Sequence, residues 1–494
     1  MTNKMKYLLL PMVAGMSVTL LAACGGKSKP KDKFEISISA RSLVSEQSVL
    51  NLWKAEYEKL NPNVTVKVEG WGSNEGTSES YVMKNAMNRS YLTNIIYTTD
   101  DSTALLAQKK NFVDLRPYFE QSPETDYTNY YTTMFDTTSF YGEFRPTTSY
   151  TGAYECEKSN DAQYGVYFAP REYNMPGLLC NITLFKEHFA TETEKANWTN
   201  DTLKQIWIRL GEGTEWNWTT FVKALKTISK KCVELNANGD LGYRGCEMQN
   251  TWEPVFTTIM KELGSDGLFA VNEDTGEVVC NLASDTNKAA FDRIISDFGM
   301  GKDKYMIDTD YGNSNFSIQR VFSNIVSYPE VGNYYGAFKK NNQELGAINV
   351  PCSFVGAGCG GYGILVDKAN EIQTLTTGET AKTADLCWDF LKYMLSKDGQ
   401  NVAGKEGYIQ PVLKELADTG DWLLAYDGKI DHSAFATASP LRLDTFTFAN
   451  PSARNDLRTD VISFFRDIFD PNRTNYSDLL EKAVNDINKH LKKA

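Results

Sequence analysis

The chain predicts an α/β protein with mainly parallel sheets covered by helices on both sides, spread over two or more domains. Three observations predict it. Beyond residue 33, period-2 apolar runs alternate with helical stripes in β-α-β-α-β-α order, the order that parallel strands with crossover helices require. The body beyond that point, about 460 residues, exceeds what one hydrophobic core holds. A hydrophobic content of 41% and an aromatic content of 12% suit a globular body. No apolar run after the first 23 residues reaches the length of a bilayer.

The elements follow in order. Phe34, Ile36 and Ile38 alternate with polar residues and predict a first strand. Val49, Leu50, Trp53, Tyr57 and Leu60 share one helical face, and Asn61-Pro62 stops that helix. Val64, Val66 and Val68 alternate again, a polar helix spans 79–88, and Ile95-Ile96-Tyr97 is a short apolar strand before a helix at 102–110. Residues 118–163, dense in Tyr, Thr, Ser and Asp, read as an irregular excursion that either carries binding loops or packs its aromatics on its host. From Trp218 helices dominate: the stripe Phe221, Leu225 and Ile228, then 253–263, 285–297 and the segment around 317–324. Residues 347–350 and 362–366 read as strands, and 385–396 as an amphipathic helix. Leu480, Ala483, Val484, Ile487 and Leu491 mark a last helix, with Lys489, Lys492 and Lys493 suiting its C-terminal dipole.

At the front, Lys4 and Lys6 precede an apolar run ending in Leu21-Ala22-Ala23-Cys24, the layout of a secretory signal with a lipobox. Residues 1–23 are then a signal peptide. Cys24 is the acylated first residue of the mature chain, and 24–33 form a hydrophilic tether. Two or more acyl chains would anchor it firmly, whereas one binds a membrane only marginally. The net charge of −12 moves to about −14 once Lys4 and Lys6 are lost, which argues against nucleic acid and against broad docking on anionic lipid. The remaining eight cysteines show no C-x-x-C spacing; Cys232 with Cys246 and Cys352 with Cys359 are the close-spaced candidates for disulfides, and small buried apolar residues are the alternative.

Six segments then carry a resemblance. Asn94-Ile95-Ile96-Tyr97 before Thr98-Thr99-Asp100-Asp101, Tyr164 to Pro170 with Leu178 to Phe185, and Trp216 to Phe221 occur in that order. Gly360-Gly361-Tyr362-Gly363-Ile364, Trp388 to Gln400, and Gly407-Tyr408-Ile409-Gln410-Pro411 follow. Behind a lipobox, this series resembles the family 1 extracellular solute-binding proteins of bacterial ABC transporters, the sugar-type lipoproteins. The chain departs from the family pattern at Tyr173-Asn174-Met175-Pro176 and at Cys180. The resemblance implies a two-lobe fold of the periplasmic-binding-protein type, class II, that closes on ligand like a clamshell. Its crossings fall near 170–176, 347–351 and 405–411. One lobe is then 34–172 with 348–406, the other 173–347 with 407–494. It also implies a monomer at the extracellular or periplasmic face of the cell membrane. Such a protein takes a small-molecule ligand, an oligosaccharide, and has permease subunits as partners; it uses no cofactor.

Sugars present C–H faces and rims of hydroxyls, so rings and planar polar groups are the candidate ligand-binding residues. Tyr362 is the leading stacking residue, with Gly361 leaving room beside it, or else a tyrosine packing a strand. Arg41, Trp71 and Asp100 follow predicted strands, where open α/β sheets form their crevice. Tyr173 and Asn174 sit on the first crossing, Trp252 begins a helix of the second lobe, and Glu330 precedes a Gly-Asn-Tyr-Tyr loop. Catalytic and metal assignments are empty. His188, His432 and His490 form no metal-spaced motif, and no nucleophile elbow or P-loop is present. A glycoside hydrolase with paired carboxylates is the competing enzyme class, and a polyamine, metal chelate, peptide or amino-acid derivative is the competing ligand. Cys24→Ala is expected to release the protein from the membrane fraction; a variant that still fractionates as a lipoprotein would overturn the anchor.

Overall fold

Strand direction shows where this chain passes between its two sheets. The computed structural model describes residues 30–72, 77–85, 92–99, 106, 111–121, 123–126, 129–130, 166–248, 258–272, 275, 277–298, 303–308, 315–417, 419–436, 439–442, 450, 453–468, 470 and 475–492. Its strands are β1 (Phe34–Arg41), β2 (Val64–Trp71), β3 (Ile95–Thr99), β4 (Ala169–Asn174), β5 (Pro176–Asn181), β6 (Arg244–Glu247), β7 (Phe269–Val271) and β8 (Val278–Cys280). They continue as β9 (Ile307–Asp308), β10 (Val321–Ser327), β11 (Leu345–Ile348), β12 (Phe354–Ile364), β13 (Ile372–Thr374), β14 (Thr380–Lys382) and β15 (Ser439–Arg442). The main helices are α1 (Val44–Leu60), α2 (Ser78–Lys84), α3 (Ile182–His188), α4 (Asn200–Leu210), α5 (Trp218–Leu235) and α6 (Asp285–Asp297). After them come α7 (Val331–Lys340), α8 (Thr383–Leu395), α9 (Lys397–Lys405), α10 (Arg454–Ile468) and α11 (Ser477–Leu491).

The first sheet runs β15-β12-β3-β1-β2 with β4 also on β12, and the second runs β11-β5-β10-β6-β9. Both are mixed, which corrects the expectation of mainly parallel sheets. The strands β1, β2 and β3 are parallel, but β12 enters antiparallel to β3, and β4 is antiparallel to β12. In the second sheet β6, β9 and β10 are parallel while β5 runs against β10 and β11 runs against β5. The reason is topological. A strand arriving from the other lobe enters its sheet at the edge where the parallel strands end, so it must point the opposite way. Thus β4 leaves the first sheet at that edge and β5 enters the second after Met175 alone, while β11 leaves and β12 returns.

Local sequence accounts for most elements. On α1, Val49, Leu50, Trp53 and Tyr57 are buried, and two polar handles fix the helix to its neighbours. The Trp53 Nε1–H donates to the Gly399 carbonyl at 2.7 Å, and the Tyr57 hydroxyl to Asp389 Oδ2 at 2.6 Å. The polar tips of these two buried rings are thereby satisfied. The Asn217 side chain caps α5 by accepting from Thr220 N, and Ser284 caps α6 from Asn287 N. The Phe291 ring on α6 meets Phe464 on α10 edge-on at 5.0 Å, holding the C-terminal helices on the second lobe.

Residues 317–324, expected to be helical, instead turn into β10, whose seven residues are all buried. Val321 and Phe322 are parted from Ile325 and Val326 by Ser323 and Asn324, and a strand buried on both faces lacks the alternation that would betray it. Of the two readings open for Cys232 and Cys246 the structure shows the second: both are free, buried thiols, and burial pushes each up to about 12. Cys180 and Cys246 flank Ser323 from its two neighbouring strands, and two strand spacings exceed the reach of a disulfide. The 118–163 excursion lies largely outside the described residues, as do most of the 102–110 helix and Cys24.

Beside β5 and β11, Phe435 packs edge-on against Tyr328, and Tyr328, Trp422 and Tyr426 surround His432, which is 1% exposed. Its ring stacks on Tyr426 at 5.6 Å, and Nε2 faces the Ala425 carbonyl at 3.3 Å. A carbonyl only accepts, so Nε2 carries a proton, while Nδ1 is buried without a hydrogen-bond partner, which disfavours the second proton of the charged ring. Burial pulls its pKa down to about 4 from 6.5. A base depressed by folding contributes full stability above its unfolded pKa and loses it as pH falls through the folded one. The window is therefore pH 6.5 to 4, and the loss is about 3 kcal/mol. His432→Gln is expected to flatten the fall in denaturant midpoint across that window; an unchanged acid limb would place the sensitivity elsewhere.

Candidate functional site

The parallel strands of the first sheet end at Arg41, Trp71 and Thr99, and those of the second at Glu247, Asp308 and Ser327. These are the edges at which the chain crosses between sheets, so the two face one another across the crossings. Open α/β sheets bind ligands in the crevice outside such strand ends.

The expected site residues fare differently. Arg41 stands at the end of β1, with Nε donating to Glu46 Oε1 at 2.8 Å and its guanidinium 5.5 Å from the Tyr97 ring centroid. Trp71 is beside it in register, but its ring is buried and stacked on Tyr81 at 5.2 Å, leaving the indole N–H without a partner. Tyr173 is also buried, and its backbone N–H donates to the Gln410 carbonyl at 3.1 Å. Asn174 is partly buried at the end of β4, and its Oδ1 has no partner. Glu330 lies half-buried at the start of α7, past the end of β10, and accepts from Asn333 Nδ2 at 3.1 Å. Asp100 and Trp252 lie outside the described residues.

Tyr362 requires a correction. Its ring is 0% exposed, edge-on to Trp53 at 6.4 Å and to Tyr97 at 5.6 Å, so no face is left for a sugar. The glycines around it serve other rings. A Cβ on Gly360 would strike Tyr97, and one on Gly361 would strike Phe168 and the Ala169 carbonyl. Gly361 admits its neighbours' side chains, and the Gly-Gly-Tyr-Gly run is a packing device of the sheet.

Sequence reasoning missed the charged residues underneath. Between Gly360 and Gly361 the pairing of β12 with β4 jumps from Glu172 to Pro170, so Arg171 is an inserted, bulged residue. A bulge turns consecutive side chains toward one face and re-aims them. Arg171 and Glu172 accordingly form an ion pair although adjacent in a strand, and both are buried. The Arg171 guanidinium lies 4.4 Å from the Tyr97 centroid. Burial opposes its charge, but Glu172, with Glu46 further off, holds it protonated well above its ordinary value. The Tyr362 hydroxyl is buried without a hydrogen-bond partner, and burial pushes that phenol upward against the lowering influence of Arg171. The available signal was a charged dipeptide inside the mostly apolar stretch from Val166 to Leu179.

On the opposite edge, Glu247 Oε2 accepts from the Phe316 N–H at 2.6 Å, and Asp308 Oδ2 from Asn315 Nδ2 at 2.6 Å. Among the described residues no three His, Cys, Asp or Glu side chains group as a metal site, and no helix is long and apolar enough to cross a membrane.

A family model described as bacterial extracellular solute-binding protein matches residues 53–426. No curated protein sequence matches the chain. Its fold is similar to an ABC substrate-binding protein from Listeria monocytogenes in complex with cycloalternan, at 13% identity and TM-score 0.62, covering 93% of this chain and 99% of that one. It is also similar to the maltose/maltodextrin-binding domain MalE from Bdellovibrio bacteriovorus bound to maltotriose, at 17% identity and TM-score 0.56, covering 93% and 100%. UgpB from Mycobacterium tuberculosis, in complex with glycerophosphocholine, matches at 12% identity and TM-score 0.60, covering 93% and 97%. Tyr362→Ala is expected to lower unfolding stability by about 3–5 kcal/mol, the range for emptying a large aromatic site. A variant of normal stability in denaturant unfolding would return the ring to the cleft.

Proposed function

The chain belongs to the bacterial extracellular solute-binding proteins, and from that premise we propose a lipid-anchored receptor of the family 1 sugar type. It captures a carbohydrate of oligosaccharide size between its lobes and delivers it to an ABC permease. The observation that carries the reading is the charged cluster beside the strand ends. Arg41, Glu46, Arg171 and Glu172 pair donors with acceptors and sum to no net charge. An anion would meet the carboxylates there and a polyamine the guanidiniums, whereas a hydroxyl both donates and accepts. Similar folds bound to cycloalternan and maltotriose agree with that preference. Cys24 as the anchor, the lobe limits at 172, 347 and 406, and the roles of Arg41, Asn174 and Glu330 at the cleft belong to the same reading. Glu330 is the second lobe's partly exposed carboxylate there.

The test is a thermal-shift screen with maltotriose, cycloalternan, glycerophosphocholine, spermidine and a dipeptide. Maltotriose or cycloalternan at a hundredfold excess over Kd is expected to add about 2.7 kcal/mol of apparent stability. Small-angle scattering with the same sugar is expected to give a smaller radius of gyration. A shift by spermidine or the dipeptide alone would overturn the carbohydrate assignment, and recovery of shortened glycans would make the protein a hydrolase.

A further inference from the structure

The charged cluster at the bulge holds an unusual concentration of unmet polar atoms. Arg171 Nε and Nη1, Glu172 Oε2 and Glu46 Oε2 are each buried without a hydrogen-bond partner. Arg171 is 6% exposed, Glu172 2% and Glu46 4%. Leaving one such group unmet typically costs about 1–3 kcal/mol, more when it is charged. Native interiors leave few polar groups in that condition, and those that persist call for a bound water, ion or ligand.

The cluster is also well placed. Glu46 sits in the first turn of α1, whose N-cap Leu43 supplies no side-chain acceptor. Arg171 lies on β4 three residues before that strand ends at Asn174 and the chain crosses to the second sheet. Glu46 acts on the Arg171 charge, and so does the Arg41 guanidinium on the same ring of Tyr97. Each carboxylate already gives one oxygen to an arginine, Glu46 to Arg41 and Glu172 to Arg171. What is left over is two donors and two acceptors.

We propose that this bulge is a binding subsite for two hydroxyl groups of a neutral polyol, with Arg171 as its specificity-determining residue. Each hydroxyl accepts from one Arg171 N–H and donates to one free carboxylate oxygen, so two hydroxyls satisfy all four atoms with no net charge brought in. The bulge is what makes this possible, because a regular strand would turn Glu172 to the opposite face. The subsite rests on the carbohydrate reading above and deepens it.

The experiment compares wild type with Arg171→Lys and with the double variant Arg171→Met, Glu172→Gln, which removes both charges and leaves none buried alone. All three are screened with maltotriose, glycerophosphocholine, spermidine and a dipeptide, and whichever shifts the wild type is titrated calorimetrically. The double variant is expected to keep the wild-type denaturant midpoint or exceed it, and to bind maltotriose at least tenfold more weakly. Arg171→Lys keeps the charge but loses a donor and is expected to fall between. A double variant that binds maltotriose like wild type overturns the subsite. A double variant that loses its cooperative unfolding makes Arg171 a structural residue and overturns it too. If only spermidine or the dipeptide shifts the wild type, the carbohydrate reading fails. The subsite then stands as a polar site only if the double variant loses that same shift. A wild type that responds to none of the four overturns both.

Discussion

Two buried glutamine side chains hold the crossings in place, and the geometry of everything between the sheets depends on them. Gln410 Oε1 accepts from the Met175 N–H at 3.0 Å, and its Nε2 donates to the Phe435 carbonyl at 2.9 Å. Gln400 Oε1 accepts from the Val412 N–H at 2.9 Å, while its Nε2 donates to the carbonyls of Met394 and Arg171. Backbone amides at a crossing have no sheet ladder to join, yet they are buried and need partners. An amide side chain supplies a donor and an acceptor from one residue, so each glutamine joins segments more than ten residues apart in sequence. The first and third crossings are thereby bound into one unit, which fixes where β4 ends and hence where Arg171 sits.

The same unit explains the mixed sheets. Once β4 must leave the first sheet at the strand ends and β12 must return there, antiparallel pairing of β12 with β3 is compelled. That pairing brings Tyr362 against Tyr97 and lets Gly360, Gly361 and Gly363 admit the rings of Tyr97, Phe168 and Phe112. These three positions cannot carry Cβ atoms without forcing the rings apart, since packed interiors tolerate little added volume. Aromatic packing against the returning strand thus makes a stiff floor, and stiff floors hold polar groups in place.

Near that floor, polar atoms of Glu46, Arg171 and Glu172 are buried without hydrogen-bond partners. Proteins place strained and under-satisfied groups where function requires them, since selection for stability alone removes them. The bulge at Arg171 is the local means: one extra residue re-aims a charged pair that a regular strand would have split between its two faces.

The sequence by itself determined the elements whose chemistry is local. The stripe Val49, Leu50, Trp53, Tyr57 with its Asn61-Pro62 stop forms α1, the alternation at Phe34, Ile36, Ile38 forms β1, and the last helix lies where its stripe placed it. The chain passes between the sheets from β4 to β5 at Met175 and from β11 to β12 after Ile348. Tertiary structure decided the rest. Val321 to Ser327 became a strand because two neighbouring strands bury it, which no periodicity encodes. Tyr362 moved from cleft to core because its glycine neighbours make room for rings from distant segments. Arg171 became the charged centre of the candidate site through a register jump between β4 and β12. A register depends on which strand pairs with which, and that information lies in contacts between residues nearly two hundred positions apart.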